Sequence, residues 1–170
     1  MAAEKDWPRY IIASIGYYLK PILTAQNWPS LLDGIEERTD AFIQSSNRAE
    51  FRITGPFVKQ LSAGYWQALV DINVLLSSRF DGPLKNAYDL TAMAGIVEAA
   101  LDQPIPVWNY GGQPGDYVDG DASTQVFLGN LIPRLGQSCR VLNFGQIDTV
   151  DRLKQYEAEG RYMLELYANQ

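Results

Sequence analysis

The chain contains no histidine and only one cysteine, Cys139, among its 170 residues. Without histidine there is no Ser-His or Cys-His nucleophile pair, no imidazole general base and no His-ligated metal, which removes most hydrolase chemistry. A single cysteine gives neither an intrachain disulfide nor a thiolate cluster, so synthesis in a reducing cytoplasm is expected. Cations are the minority charge. The 14 Lys and Arg stand against 20 Asp and Glu, a formal charge of -6, and the pI is near 4.6. Such a chain has no basic field to draw it to phosphates, which argues against sequence-general nucleic-acid binding. Long apolar runs are missing too: the most apolar early stretch, residues 10–23, is broken by Lys20 and Pro21 and falls short of the roughly 20 residues that cross a bilayer. Met1, Ala2, Ala3, Glu4 and Lys5 do not make the basic start of a secretory signal. There is no repeat and no biased tract.

What is present is the composition of one folded domain, expected over residues 1–170, with 46% hydrophobic and 12% aromatic residues. Pro8 suits a first helical turn, and Ile11, Ile15, Tyr18, Leu19 and Ile22 follow at three- and four-residue spacing. The spacing predicts a helix over residues 5–23, bent or ended near Pro21. Residues 24–49 have weak periodicity and read as mostly irregular, with room for a short helix. From Glu50 the period becomes two. Ala68, Val70, Ile72, Val74 and Leu76 share one face of a strand, and Gln67, Asp71 and Asn73 share the other. The segment from Phe51 to Thr54 is its expected antiparallel partner.

Ala87, Leu90, Ala94, Val97 and Leu101 predict a second helix, stopped before Pro104 and Pro106. Short strands are expected at residues 107–110, 126–132 and 140–144, and a Gly/Asp loop at 111–123. Tyr156, Ala158, Tyr162, Leu164 and Leu166 then alternate with Glu157, Glu159, Arg161 and Glu165, a last strand with one wet face. Strands and helices do not alternate as a parallel sheet requires. The fold class is therefore expected to be α+β, a mainly antiparallel sheet with two helices packed on one face, its sheet-and-helix core spanning residues 50–168.

Few constellations point to chemistry. Asp116, Asp119 and Asp121 lack the order of a twelve-residue calcium loop and its terminal Glu, so they read as a solvated or partner-facing loop. Gly111, Gly112 and Gly115 lack phosphate-loop spacing. Glu157, Glu159 and Glu165 fall on one wet strand face beside Arg161, where ion pairing accounts for them better than paired-carboxylate catalysis. Cys139, beside Arg140, has no His partner to make it a nucleophile. The expectation is no enzyme, no cofactor and no metal. Four Trp and ten Tyr instead suggest contact residues, with Trp7 and Tyr10 the candidates for an interface.

Two sets of segments carry a resemblance. Glu50-Phe51-Arg52-Ile53-Thr54-Gly55-Pro56 followed by Val70-Asp71-Ile72-Asn73-Val74-Leu75, and Leu131-Ile132-Pro133 with Asn143-Phe144-Gly145-Gln146-Ile147-Asp148, resemble tail-terminator and tail-completion proteins of tailed bacteriophages. The resemblance runs loosely over residues 50–167 and its motifs are structural. It implies a small α+β subunit that closes into a ring, typically a hexamer, at the head–tail junction of the virion. That ring caps the tail tube, meets the neck or head-completion proteins, and leaves a channel through which DNA passes without specific binding. Asp116, Asp119 and Asp121 would then face the lumen or a partner, like charge keeping phosphates off the wall. Head-closure proteins, portal adaptors and tube subunits share these traits. A non-viral, acidic, monomeric protein-binding module is the alternative from another class.

Overall fold

The structure is a computed structural model that describes residues 6–79, 85–109, 126–134, 140–148 and 153–167, with the backbone alone for 85–87, 140–148 and 153–154. Helix α1 spans Trp7–Thr24, with Pro8 in its first turn. Its buried side, Trp7, Tyr10, Ile11, Ser14, Ile15, Leu19 and Leu23, follows the three- and four-residue spacing of the sequence. The helix runs through Pro21: the missing N–H costs one bond near its end, and the final turn still closes through Ala25 N–H donating to the Pro21 carbonyl at 2.9 Å.

The segment read as irregular contains two short elements. Strand β1, Ser30–Leu32, pairs in parallel with the following strand, and helix α2, Asp40–Gln44, is started by Thr39, whose hydroxyl accepts from Phe42 N–H. Strand β2, Asn47–Ser62, and strand β3, Tyr65–Arg79, form a long antiparallel hairpin. Helix α3 spans Lys85–Leu101, and strands β4, Ile105–Asn109, β5, Val126–Pro133, β6, Arg140–Asp148, and β7, Leu153–Tyr167, follow.

The fold is α+β. The seven strands among the described residues run in the order β1-β2-β3-β7-β5-β4, with β6 also on β7. The sheet is mixed, since β1–β2 is parallel and the other pairings are antiparallel. Helix α2 lies in the segment where the sequence left room for a short helix, and the parallel pairing of β1 is one that the expected, mainly antiparallel sheet did not specify. A run of three residues is too short to show a period, and one helical turn is too short to show a stripe.

β3 and β7 are in register from Tyr65↔Tyr167 to Arg79↔Leu153. Trp66, Ala68, Val70, Ile72, Val74 and Leu76 of β3 and Ala158, Tyr162, Leu164 and Leu166 of β7 are therefore buried on one face, the core face. α1 reaches this face where Trp7 meets Trp66 edge-on, ring centroids 6.0 Å apart. α3 reaches it where the Tyr162 hydroxyl donates to the carbonyl of Leu101, and Tyr18 of α1 donates to Ala100 of α3 at 3.0 Å. Burial raises the Tyr18 phenol pKa. Gly160 sits under the Tyr162 ring, where a Cβ would lie 2.8 Å from Cε2.

β2 keeps its core contacts across an irregularity. Before it, Ala49, Phe51 and Ile53 oppose core residues of β3; after it, Val58 opposes Ala68, so the buried positions pass from odd to even numbers. The extra residue lies between Thr54 and Phe57, a β-bulge around Gly55, whose φ of 96° is one L side chains rarely adopt.

Candidate functional site

The opposite face of the sheet carries the side chains that alternate with the core. At the β1 end it is charged. Asp33, just beyond β1, accepts from Arg38 at 3.3 Å and from Arg52 at 3.2 Å, while Glu50 accepts from Arg38 at 2.6 Å. Arg48 donates to the Ile43 carbonyl of α2 at 2.7 Å, which ties that helix to this end. Further across, Asn73 donates to Glu157 at 2.8 Å and Arg161 to Glu159 at 3.1 Å. Asp33, Glu50, Arg52, Asn73, Leu75, Gln155 and Glu157 line a shallow depression of about 320 Å³. Its carboxylates are held by cations and an amide: Glu157 accepts from Asn73 across the β3–β7 pair, and the neighbouring Glu159 accepts from Arg161 two residues along its own strand.

The other half of this face is different. Phe57 opposes Leu69, Leu69 opposes Met163, and Met163 opposes Ile132, so four strands each place one apolar side chain in a single row. Phe57 is 63% exposed and Ile132 44% exposed, while Leu69 and Met163 are half-buried between them. One flank of the row is Lys59, Gln67 and Glu165, the other Thr54, Asp71 and Arg161. Beyond the first flank Tyr65 and Tyr167 pair across β3 and β7, ring centroids 5.3 Å apart. The Tyr65 hydroxyl donates to the Glu165 carboxylate, which favours the neutral phenol and pushes its pKa up to about 12. An apolar row on a sheet face whose other positions are mostly Gln, Asp, Asn, Glu and Arg is a surface made for contact.

A second apolar feature lies along the exposed side of α1. Ile12, Gly16, Tyr17 and Pro21 form one wall and Leu32, the last residue of β1, and Ile35 form the other. The groove has two halves of about 460 and 260 Å³ that share Leu32 and Ile35. Tyr17 is 42% and Ile35 49% exposed. Arg9 and Lys20 stand on the α1 wall, and Glu36, which binds Lys20, stands on the other.

The residues singled out in the sequence fall elsewhere. Trp7 and Tyr10 are not contact residues: at 2% and 5% exposure they are part of the core, because they continue the buried stripe of α1 and Trp7 closes on Trp66. Asp116, Asp119 and Asp121, with the whole of the Gly/Asp loop, lie outside the described residues, as does Cys139. Among the described residues no three Asp, Glu, His or Cys side chains gather as a metal site would require, and no helix is long and apolar enough to cross a membrane. The row Phe57, Leu69, Met163 and Ile132 did leave a trace in the sequence. Leu69 and Met163 are apolar residues at the wet positions of two alternating strands.

Compared with known protein families and with curated proteins, the chain matches none.

Proposed function

We propose that the chain is a structural virion protein of a tailed bacteriophage, made in the host cytoplasm, that closes into a ring at the head–tail junction. In this reading the ring, a hexamer, caps the tail tube and joins it to the neck, and DNA passes through its channel without being specifically bound. It works by contact, with no catalysis and no cofactor. The two long helices cover the core face of a mainly antiparallel sheet and leave the other face for neighbours.

One observation carries the reading: the row Phe57, Leu69, Met163 and Ile132, exposed at its two ends, crosses four strands on a face whose other positions are mostly polar. Isolated exposed apolar residues are ordinary, but a contiguous row bordered by charges is the pattern of a protein interface. The phage assignment rests on the resemblance of residues 50–56, 70–75, 131–133 and 143–148 to tail-terminator and tail-completion proteins, and the acidic composition suits a wall that DNA slides past.

Light scattering over a range of concentrations, with negative-stain images of any large fraction, tests it. A closed single-layer ring is the expected result. Long tubes would turn the reading to a tube subunit, and a monomer at every concentration, with no ring on isolated tail tubes, would replace it with a monomeric binding module.

A further inference from the structure

Strand β2 is covered on its outer edge for only part of its length. β1 pairs with Ala49, Glu50 and Phe51, Asp33 N–H donates to the Phe51 carbonyl at 2.8 Å, and from Arg52 to Ser62 no strand among the described residues lies on that side. The main-chain groups of this edge have a definite direction. Ala49 N–H donates outward to the Pro29 carbonyl at 2.9 Å and the Phe51 carbonyl accepts from outside, so the core-facing residues are those whose N–H and C=O point away from β3. Beyond the bulge the core-facing positions are even, which aims the N–H and C=O of Val58 and Gln60 outward. Unpaired groups in such a row are a template for another strand, and a route by which copies of a chain join without limit.

We propose that Lys59 keeps this edge from pairing with the same edge of another copy. The stretch around it is the vulnerable part of the strand. The register of β2 breaks between Thr54 and Phe57 and again between Gln60 and Ser62, which leaves Phe57, Val58, Lys59 and Gln60 as the longest regular run of uncovered edge. Phe57 is 63% exposed and Leu61, just past the run, 45% exposed. Without the charge of Lys59, residues 57–61 would be a mostly apolar segment with high strand propensity and no ionised group, the kind that stacks between chains.

The position of Lys59 within the run is what makes it effective. Val58 and Gln60 are two residues apart, so the antiparallel register that pairs both sets sets Val58 of one copy against Gln60 of the other. That register places Lys59 directly opposite Lys59 of the other copy, with Cβ atoms about 5 Å apart, and like charges so placed are destabilising. A register shifted by two residues in one direction pairs Val58 with Val58 but brings Gln60 against Pro56, which has no N–H to give. A shift in the other direction runs into the second break, between Gln60 and Ser62. Lys59 is exposed, and among the described residues no carboxylate forms an ion pair with it, so nothing within the subunit neutralises its charge.

Charge substitutions at Lys59 test the proposal. The parent, Lys59→Val and Lys59→Glu are checked for native circular dichroism and then followed at equal concentration by thioflavin T fluorescence and light scattering over several days. Lys59→Val should give about ten times the parent's thioflavin signal or more, because the repulsion between two facing charges is lost. Lys59→Glu, which again sets like charges against each other, should behave as the parent does. Val58→Pro in the Lys59→Val protein removes an outward N–H while sparing the bonds to β3, and it should return the signal to the parent's level. Gln60→Pro does the same at the other outward position, and Lys59→Thr removes the charge without adding an apolar side chain, so one poorly folding variant does not decide the outcome. A Lys59→Val protein that grows no faster than the parent would overturn the proposal, as would a Lys59→Glu protein that grows as fast as Lys59→Val. Growth that persists through both proline substitutions would overturn it too, since the contact would then use the apolar face and not the edge. The edge is separate from the outer face of the sheet, so the result stands whether or not the copies close into a ring.

Discussion

Tyr162→Phe isolates one oxygen that holds α3 to the sheet. Tyr162 is fully buried on β7, opposite Val70 of β3 and Pro133 of β5, and its hydroxyl donates to the carbonyl of Leu101, the last residue of α3. The last carbonyls of a helix have no donor within the helix, so this phenol supplies one that the chain itself does not. The substitution keeps the ring over Gly160 and removes only the donor. A buried acceptor deprived of its partner costs about 1–3 kcal/mol, and for a chain of this size each kcal/mol moves the unfolding midpoint by roughly 2–4 °C. At the middle of that range, about 2 kcal/mol, the expected fall is roughly 4–8 °C. Urea titration gives the free energy directly, and hydrogen exchange should show faster exchange at the C-terminal turn of α3 than at its centre. A Tyr162→Phe protein within about 0.5 kcal/mol of the parent, with α3 exchange unchanged, would refute the assignment of this hydroxyl as the helix anchor.

Trp7→Ala should cost about 3–5 kcal/mol in urea titration, as expected for a large aromatic in the core, whereas a contact residue at the surface would change stability by at most about 0.5 kcal/mol. Gly55→Ala forces a side chain into a φ of 96° and sets its Cβ 2.8 Å from the carbonyl oxygen of Leu69, so it should lose about 1–3 kcal/mol by the same titration, while an unchanged midpoint would show that the bulge yields freely. The Tyr65 phenol should titrate near 12 by ultraviolet absorbance, and Glu165→Gln should bring it down toward 10. Because the folded value lies above the unfolded one, the bond's contribution to stability is complete below pH 10 and is lost as the pH rises through about 12.

Much of this architecture is legible in the residue order. Ala68 to Leu76 and Tyr156 to Leu166 alternate because each strand has one buried and one wet face, and those two strands lie side by side at the centre of the sheet. The helical spacing of Ile11, Ile15 and Leu19, and of Leu90, Ala94 and Val97, marks the helices that pack on the core. The elements that were not legible are short or irregular. Ser30–Leu32 gains its identity only from pairing with Ala49, Glu50 and Phe51, a tertiary contact with no local signal. Gly55-Pro56 reads as a break, yet β2 passes through it as a bulge because the partner strand continues on the far side. Trp7 and Tyr10 show the limit of reasoning from residue type, since an aromatic at the start of an amphipathic helix serves a core or an interface equally well. The apolar row escaped for another reason: its four members come from four strands and become neighbours only through the order β2-β3-β7-β5.

The most direct test of the central claim compares particle mass for the parent and Phe57→Asp at matched concentrations by light scattering. Phe57 is 63% exposed, so the substitution should leave the unfolding free energy within about 0.5 kcal/mol. The expected result is a parent particle that is a multiple of 19.0 kDa and a variant that scatters as a single chain. A shared mass for the two proteins, whether monomer or ring, would contradict assembly through the outer face of the sheet.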